Sequence, residues 1–159
     1  MIILCETKND YFEIKFKHMK NIAILFVLML GVFSANAQTN EQQHRLVIQL
    51  VNGDSLSHFG LMKNIKNLTA GWPELEIEVV CHGPGLALLH KEKSKFLVEV
   101  EHYSDAGVRF VACENTMKAK NISKAKITDK AEFVPMGIKE IVLKQEAGWS
   151  YIKAGIVKP

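Results

Sequence analysis

The residues best suited to chemistry in this sequence come directly after its apolar runs. Cys113 closes the run at residues 108–113, and Cys81 closes the run at residues 76–81. Open α/β sheets bind ligands beyond the carboxyl ends of their strands, so residues that follow such runs are expected to share one rim. The candidates for substrate binding at that rim are His82, Gly83, Gly85, Glu114, Asn115, Thr116 and Asn52.

Cys113 is the candidate nucleophile because a helical stretch is predicted to begin at Glu114, directly after it. The unpaired N–H groups of a first helical turn and the positive end of the helix dipole favour an anion. A thiol there has a lowered pKa, and the thiolate is the reactive form. The alternative is that Cys113 only ends a buried strand, since free cysteine is among the most buried residue types.

Cys81 and His82 each have two interpretations. Cys81 is either a buried strand cysteine or half of a disulfide with Cys113, and the disulfide requires the two Cα atoms to lie within about 7 Å. His82 either orients a ligand and donates a proton or is a hydrogen-bonded turn residue. The glycines of the sequence 82–85 (HGPG) allow an anion to approach the backbone, but a tight turn requires them equally.

The sequence predicts no metal site and no cofactor. Cys81 and His82 are adjacent in the chain, and the other histidines lack the paired spacing of metal ligands. The chain contains no C-x-x-C, G-x-S-x-G or phosphate-loop motif.

Short β-rich runs alternate with amphipathic stretches along the chain and predict the strands and helices that carry these residues. The predicted strands are residues 45–51, 76–81, 108–113, 131–134 and 149–153, with the last at a sheet edge. The predicted helical stretches begin at the Asp54 or Ser55 cap, at Leu86, at Phe96, at Glu114 and at Ile138, and the stretch from Leu86 to His90 is only one or two turns long. Repeated strand and helix units indicate right-handed crossovers and a mostly parallel sheet covered on both faces. We therefore expect a single α/β domain over residues 45–159.

The amino-terminal 37 residues are interpreted as a leader that contains a signal peptide. Residues 22–33 are an apolar run that is too short for a spanning helix, which needs about 20 residues. The A-x-A pattern at Ala35 and Ala37 predicts cleavage after Ala37, before a short polar segment at residues 38–44. Met19 followed by Lys20 is a better start than Met1, because residues 1–18 carry acidic residues. We expect export to the periplasm and no membrane attachment after cleavage.

The composition is that of an ordinary globular protein. Hydrophobic residues make up 48% and charged residues 23% of the 159-residue chain, and its net charge is +3. The lysines are scattered, whereas nucleic-acid binding needs clustered basic residues, so no nucleic-acid partner is expected. Three cysteines are too few for a disulfide scaffold.

Four segments occur in order along the chain: residues 82–85 (HGPG), 107–117 (GVRFVACENTM), 132–137 (EFVPMG) and 138–152 (IKEIVLKQEAGWSYI). Together they resemble the DsrE/DsrF-like family, the sulfur-relay superfamily that includes the TusD-type proteins. The resemblance implies a three-layer α/β/α fold of flavodoxin-like appearance, with a five-stranded, mainly parallel sheet. It also implies assembly into dimers, trimers or hexamers. In that family the cysteine after the third strand accepts and passes on sulfur as a persulfide, and this position matches Cys113.

Two functions are compatible with the sequence. The first is sulfur transfer through a persulfide on Cys113, between sulfur donors and acceptors that are proteins or small thiols. The second is a non-catalytic oligomeric module that binds a small ligand at the same rim, with Cys113 as a packing residue. Apolar or aromatic residues near the carboxyl terminus also predict a homo-oligomer, and they are Trp149, Tyr151, Ile152 and Ile156.

Overall fold

A computed structural model describes residues 43–155 of the chain, and five strands form its central sheet. The strands are β1 (Arg45–Leu50), β2 (Glu76–Cys81), β3 (Arg109–Cys113), β4 (Ala131–Val134) and β5 (Ser150–Ala154). Their order in the sheet is β4-β3-β2-β1-β5. All four strand pairs are parallel, so the carboxyl ends of the strands lie at one edge of the sheet.

Four α-helices connect these strands: α1 (Ser55–Gly71), α2 (Leu97–Asp105), α3 (Glu114–Ala119) and α4 (Gly137–Glu146). Two short 3₁₀ segments, Gly83–Leu89 and Lys124–Lys126, complete the connections. Helix α1 begins where the Asp54 carboxylate accepts a hydrogen bond of 2.9 Å from the Ser57 N–H, as an N-cap does.

The larger hydrophobic core lies between one face of the sheet and helices α1, α2 and α3. Leu61 and Ile65 of α1, Val100 of α2 and Met117 of α3 pack there with strand residues such as Phe110. Side chains alternate between the two faces of a strand, so every second residue of β1, β2 and β3 belongs to this core.

The opposite face of the sheet is covered by α4. Ile141 of α4 and Trp149 pack on Val47, Val80 and Val111, the residues that alternate with those of the larger core. We call this face the site face, because the candidate nucleophile lies at its carboxyl end.

A buried charge cluster also lies on the site face. Glu78 is fully buried, and its Oε2 lies 2.7 Å from both Arg109 Nη1 and Lys144 Nζ. Burial raises the pKa of the Glu78 carboxyl, although the two neighbouring cations oppose that rise. Arg109 also makes a two-bond pair with Glu132, so the cluster ties β2, β3, β4 and α4 together.

The structure confirms the predicted α/β class and the five-stranded sheet, with β5 at an edge. Among the residues near the carboxyl terminus on which the homo-oligomer prediction rests, Trp149 is buried by its own chain, with Lys144 Nζ 4.3 Å from its ring centre. Tyr151 and Ile152 are exposed. Ile156 and the leader, with Met19 and Ala37, lie outside the described residues. No helix within residues 43–155 is long and apolar enough to cross a membrane.

Candidate functional site

Cys113 is the last residue of β3 and directly precedes α3. Its side chain lies on the site face, because it follows Val111 by two residues in the strand. Only 4% of the residue is exposed. A cysteine at this position is nearly buried but lies at the rim where two helices begin.

Several donors point at the Cys113 sulfur. The Gly137 N–H donates to Sγ over 3.2 Å. The Thr116 hydroxyl and the backbone N–H groups of Thr116 and Asn115 lower the pKa of the thiol. Gly137 is the first residue of α4, and Asn115 and Thr116 belong to the first turn of α3. The sulfur therefore accepts a hydrogen bond from the start of α4, while groups in the first turn of α3 lower its pKa. The sequence predicted only the contribution of α3.

The electrostatics of Cys113 result from two opposed effects. Burial raises the pKa of the thiol, while the hydrogen bonds from Thr116, Gly137 and Asn115 lower it. The hydrogen bonds prevail, so the pKa of Cys113 lies below its ordinary value. The site favours a thiolate, which is the nucleophilic form of cysteine.

Thr116 connects Cys113 to the turn after β2. The Gly83 N–H donates to Thr116 Oγ1 over 3.0 Å, which leaves the hydroxyl proton for the cysteine sulfur. Gly83 has a φ of +54°, a conformation that favours glycine. Two predicted site residues thus act together: the Gly83 N–H orients the Thr116 hydroxyl toward the Cys113 sulfur.

Gly137 lies in the segment 135–137, which the sequence places at the rim, but the sequence did not predict its contact with the sulfur. A Cβ atom on it would lie 3.2 Å from Cys113 Cβ, from His82 Cβ and from Val80 Cγ1. A side chain here would push α4 away from β2 and β3 and move the Gly137 N–H off the sulfur. The signal in the sequence is the glycine directly after Pro135-Met136, at the end of β4.

His82 lies beside Cys113 on the site face, since both Cβ atoms border the Gly137 position. Its Nε2 is 2.7 Å from the Gln49 side-chain nitrogen, and the Tyr151 hydroxyl donates to Gln49 Oε1. Burial lowers the pKa of His82, and the positive charge of Lys153 lowers it further. These effects favour the neutral form of His82, whose Nε2 accepts a hydrogen bond from Gln49.

Gln49 and Tyr151 were also missed by the sequence reasoning. Gln49 is the one polar residue inside the apolar run at residues 46–51, which is a readable signal. Tyr151 could not be assigned from sequence because its contact with Gln49 depends on β5 pairing with β1.

The three remaining candidates, Gly85, Glu114 and Asn52, contact residues other than Cys113. Gly85 packs against the β1 backbone, and a Cβ on it would lie 2.3 Å from the Leu50 oxygen. The Glu114 carboxylate lies 2.6 Å from Lys124 Nζ. Asn52 lies beside Gly155, near the open end of β5. Gly85 thus serves close packing, whereas Glu114 and Asn52 are placed at the periphery of the rim.

Cys81 is fully buried in the larger core, and both Cys81 and Cys113 are free thiols. Burial raises the pKa of Cys81 far above its ordinary value. Within residues 43–155 there is no group of three His, Cys, Asp or Glu residues that could hold a metal ion.

The comparisons with known proteins agree with this architecture. The model of the DsrE/DsrF-like family matches residues 52–154. A protein of unknown function from Methanobacterium thermoautotrophicum has a similar structure, with a TM-score of 0.67 and 31% sequence identity, covering 69% of this chain and 98% of its own. A conserved protein of unknown function from Bacteroides thetaiotaomicron has the same fold, with a TM-score of 0.57 and 17% identity, covering 74% of this chain and 99% of its own. No curated protein matches the chain.

Proposed function

The chain belongs to the DsrE/DsrF-like family, and from this premise we propose that it carries sulfur as a persulfide on Cys113. One observation carries the proposal: the Cys113 sulfur accepts the Gly137 N–H at 3.2 Å while Thr116 and the start of α3 supply further donors. Such donors stabilise an anion on sulfur without any cation, as required for a thiolate and for a persulfide anion alike.

The transfer needs no redox cofactor. The Cys113 thiolate attacks the outer sulfur of a donor persulfide, the sulfur–sulfur bond of the donor breaks, and the donor leaves as a thiol that takes up the proton of the outer sulfur. Cys113 then holds the persulfide anion. In the second half, an acceptor thiolate attacks the outer sulfur of that persulfide and Cys113 returns to a thiolate. Each step exchanges one sulfur–sulfur bond for another, so electrons balance.

A non-catalytic binding module is the second candidate function. The low exposure of Cys113, 4%, favours it, because a buried thiol contacts a donor only after local movement. In that function the rim binds a small anionic or thiol ligand through the same N–H groups, and no sulfur is transferred.

Mass spectrometry after treatment with polysulfide tests the first function against the second. We expect an adduct of about 32 Da, the mass of one sulfur atom, on Cys113 of the wild type and of Cys81→Ala. Cys113→Ser protein should carry none. If the wild type carries no adduct although its circular dichroism spectrum shows that it is folded, sulfur transfer is contradicted and the binding module remains as the function.

Export is part of the proposal and rests on the leader at residues 1–37. We propose that the mature chain begins at Gln38 and works in the periplasm. Amino-terminal sequencing of protein from a periplasmic fraction should begin at Gln38. Protein that starts at Met1 and remains in the cytoplasm would contradict export.

We further propose that the mature chain forms a homo-oligomer. Exposed apolar residues on α4 and β5 support this, namely Ile138, Val142, Leu143, Tyr151 and Ile152. Sedimentation at micromolar concentration should give a mass of at least two chains, and a single-chain mass would contradict it.

A further inference from the structure

A row of polar side chains crosses four neighbouring strands on the site face. Gln49 of β1 pairs in register with Lys153 of β5, so their side chains lie on the same face. Gln49 also contacts His82, which follows β2, and His82 borders Gly137 together with Cys113. The row therefore runs from Lys153 through Gln49 and His82 to the candidate nucleophile Cys113.

The hydrogen bonds within the row fix which groups are donors. The Gln49 amide nitrogen can only donate, so the facing Nε2 of His82 accepts, and the neutral ring carries its proton on Nδ1. The Tyr151 hydroxyl holds Gln49 in this orientation by donating to Oε1. Within residues 43–155, the second Gln49 amide N–H and the His82 Nδ1–H are left without a partner, and the row ends in the Lys153 ammonium group.

Lys153 is exposed and forms no ion pair with the residues that the structure describes. Other exposed lysines in residues 43–155, Lys63 among them, also form no ion pair, so what distinguishes Lys153 is its place beside Gln49 in the row. An unpaired cation at one end of a row of donors is suited to the negative end of a ligand whose other end reaches Cys113.

The span of the row indicates the size of that ligand. Strands lie about 4.8 Å apart, so β3 and β5 are separated by about 14 Å across three spacings. An extended tripeptide spans about 10 Å, and the flexible lysine side chain can close the remainder. We infer that Lys153, Gln49 and His82 form a subsite for a sulfur donor that is a peptide-like thiol persulfide of about tripeptide length with a carboxylate at its far end.

This inference rests on the proposed sulfur transfer and specifies its donor. The carboxylate lies at Lys153 while the outer sulfur reaches the Cys113 thiolate. Attack forms the bond between Cys113 Sγ and the outer sulfur and breaks the sulfur–sulfur bond of the donor. The proton of the outer sulfur moves to the donor sulfur, so the donor leaves as a free peptide thiol and no oxidant is needed.

Two matched probes test the subsite: glutathione persulfide and the persulfide of glutathione diethyl ester, which lacks free carboxylates. The measurement is the second-order rate of Cys113 persulfidation, followed by mass spectrometry. For the wild type we expect the acid to react about five-fold faster than the ester, the effect of one exposed ion pair. Lys153→Met should bring this ratio close to one, and Lys153→Arg should restore it.

Lys63→Met is the matched control, since Lys63 is an exposed lysine of α1, which covers the opposite face. It should keep the wild-type ratio. Equal rates for the two probes with wild-type protein, or an unchanged ratio in Lys153→Met, would overturn the subsite while leaving sulfur transfer in place. Failure of both probes to load a Cys113 that polysulfide still loads would overturn the subsite alone, whereas failure of polysulfide as well would overturn the proposed function and with it the subsite.

Discussion

Cys81 and Cys113 end two neighbouring strands of one sheet, yet their thiols have opposite properties. Cys81 pairs in register with Ala112, the residue before Cys113, so the two side chains lie on opposite faces. Their exposed fractions are nearly the same, 0% and 4%. Nevertheless the pKa of Cys81 is raised by burial, while hydrogen bonds outweigh burial at Cys113 and lower its pKa.

The difference arises because helices begin next to the Cys113 sulfur, whereas apolar side chains surround the Cys81 sulfur. Cys81 lies among apolar residues of the larger core, where no donor compensates for lost water. Cys113 lies where α3 and α4 both start, and the first N–H groups of a helix have no partner within the helix. Burial alone therefore does not distinguish a packing cysteine from a reactive one, whereas the count of donors around the sulfur does.

The largest effect is expected from removing the reactive sulfur. Cys113→Ser should abolish both persulfidation and rapid alkylation, because the hydroxyl that replaces the thiol is not ionised at neutral pH. Cys81→Ala should retain both reactions. Quantitative thiol titration with iodoacetamide on the chain from Gln38, which lacks Cys5, checks this. A fast-reacting thiol that persists there in Cys113→Ser would break the comparison.

Much of this comparison could be predicted from sequence. The position of Cys113 between an apolar run and a helical stretch indicated the α3 donors, and the strand and helix pattern indicated the rim. These are local features, in which residues close in sequence determine the geometry.

The contribution of Gly137 could not be predicted, because it lies 24 residues beyond Cys113 in sequence. Its N–H meets the sulfur only because α4 crosses back over the site face. The burial of Trp149 has the same cause, since Lys144 of α4 packs on its ring. The link from Tyr151 through Gln49 to His82 depends likewise on β5 returning beside β1.

The next largest effect is expected at Gly137. Gly137→Ala places a Cβ 3.2 Å from Cys113 Cβ and His82 Cβ, so α4 or these neighbours give by a few tenths of an ångström and we expect the N–H to move off the sulfur. A hydrogen bond to a charged group is worth about 1.5–3 kcal/mol, so alkylation of Cys113 at pH 7 should slow about ten- to hundred-fold. The free energy of unfolding should also fall by about 1–3 kcal/mol through overpacking.

Gly60→Ala is the control for this substitution. Gly60 lies inside α1, and a Cβ there meets no atom within 4 Å. Alanine should leave the alkylation rate unchanged and raise the free energy of unfolding by about 0.5–1 kcal/mol, since glycine is unfavourable within a helix. Equal alkylation rates in Gly137→Ala and wild type would show that the start of α4 does not contribute to the reactivity of Cys113.

A smaller effect is expected at Thr116, which supplies one of several donors. Because these hydrogen bonds lower the Cys113 pKa, thiolate is lost only as pH falls through that lowered pKa. Thr116→Val removes the hydroxyl and should shift the pH profile of alkylation to higher pH, with a rate at pH 7 about ten-fold lower. Thr116→Ser keeps the hydroxyl and should keep the profile. An unshifted profile in Thr116→Val would assign the low pKa to backbone N–H groups alone.

The smallest effect on reactivity is expected at Cys81, and it tests whether the sheet separates the two thiols. Cys81→Ala leaves the site face untouched, so the pH profile of Cys113 alkylation should coincide with that of the wild type. Cys81→Ser buries a hydroxyl among apolar residues and should lower the free energy of unfolding by about 1–3 kcal/mol, measured by urea denaturation. If the pH profile of Cys113 alkylation shifts in Cys81→Ala, packing in the larger core affects the Cys113 thiol through β3. The donors on the site face would then no longer suffice to explain why one cysteine ionises and its neighbour does not.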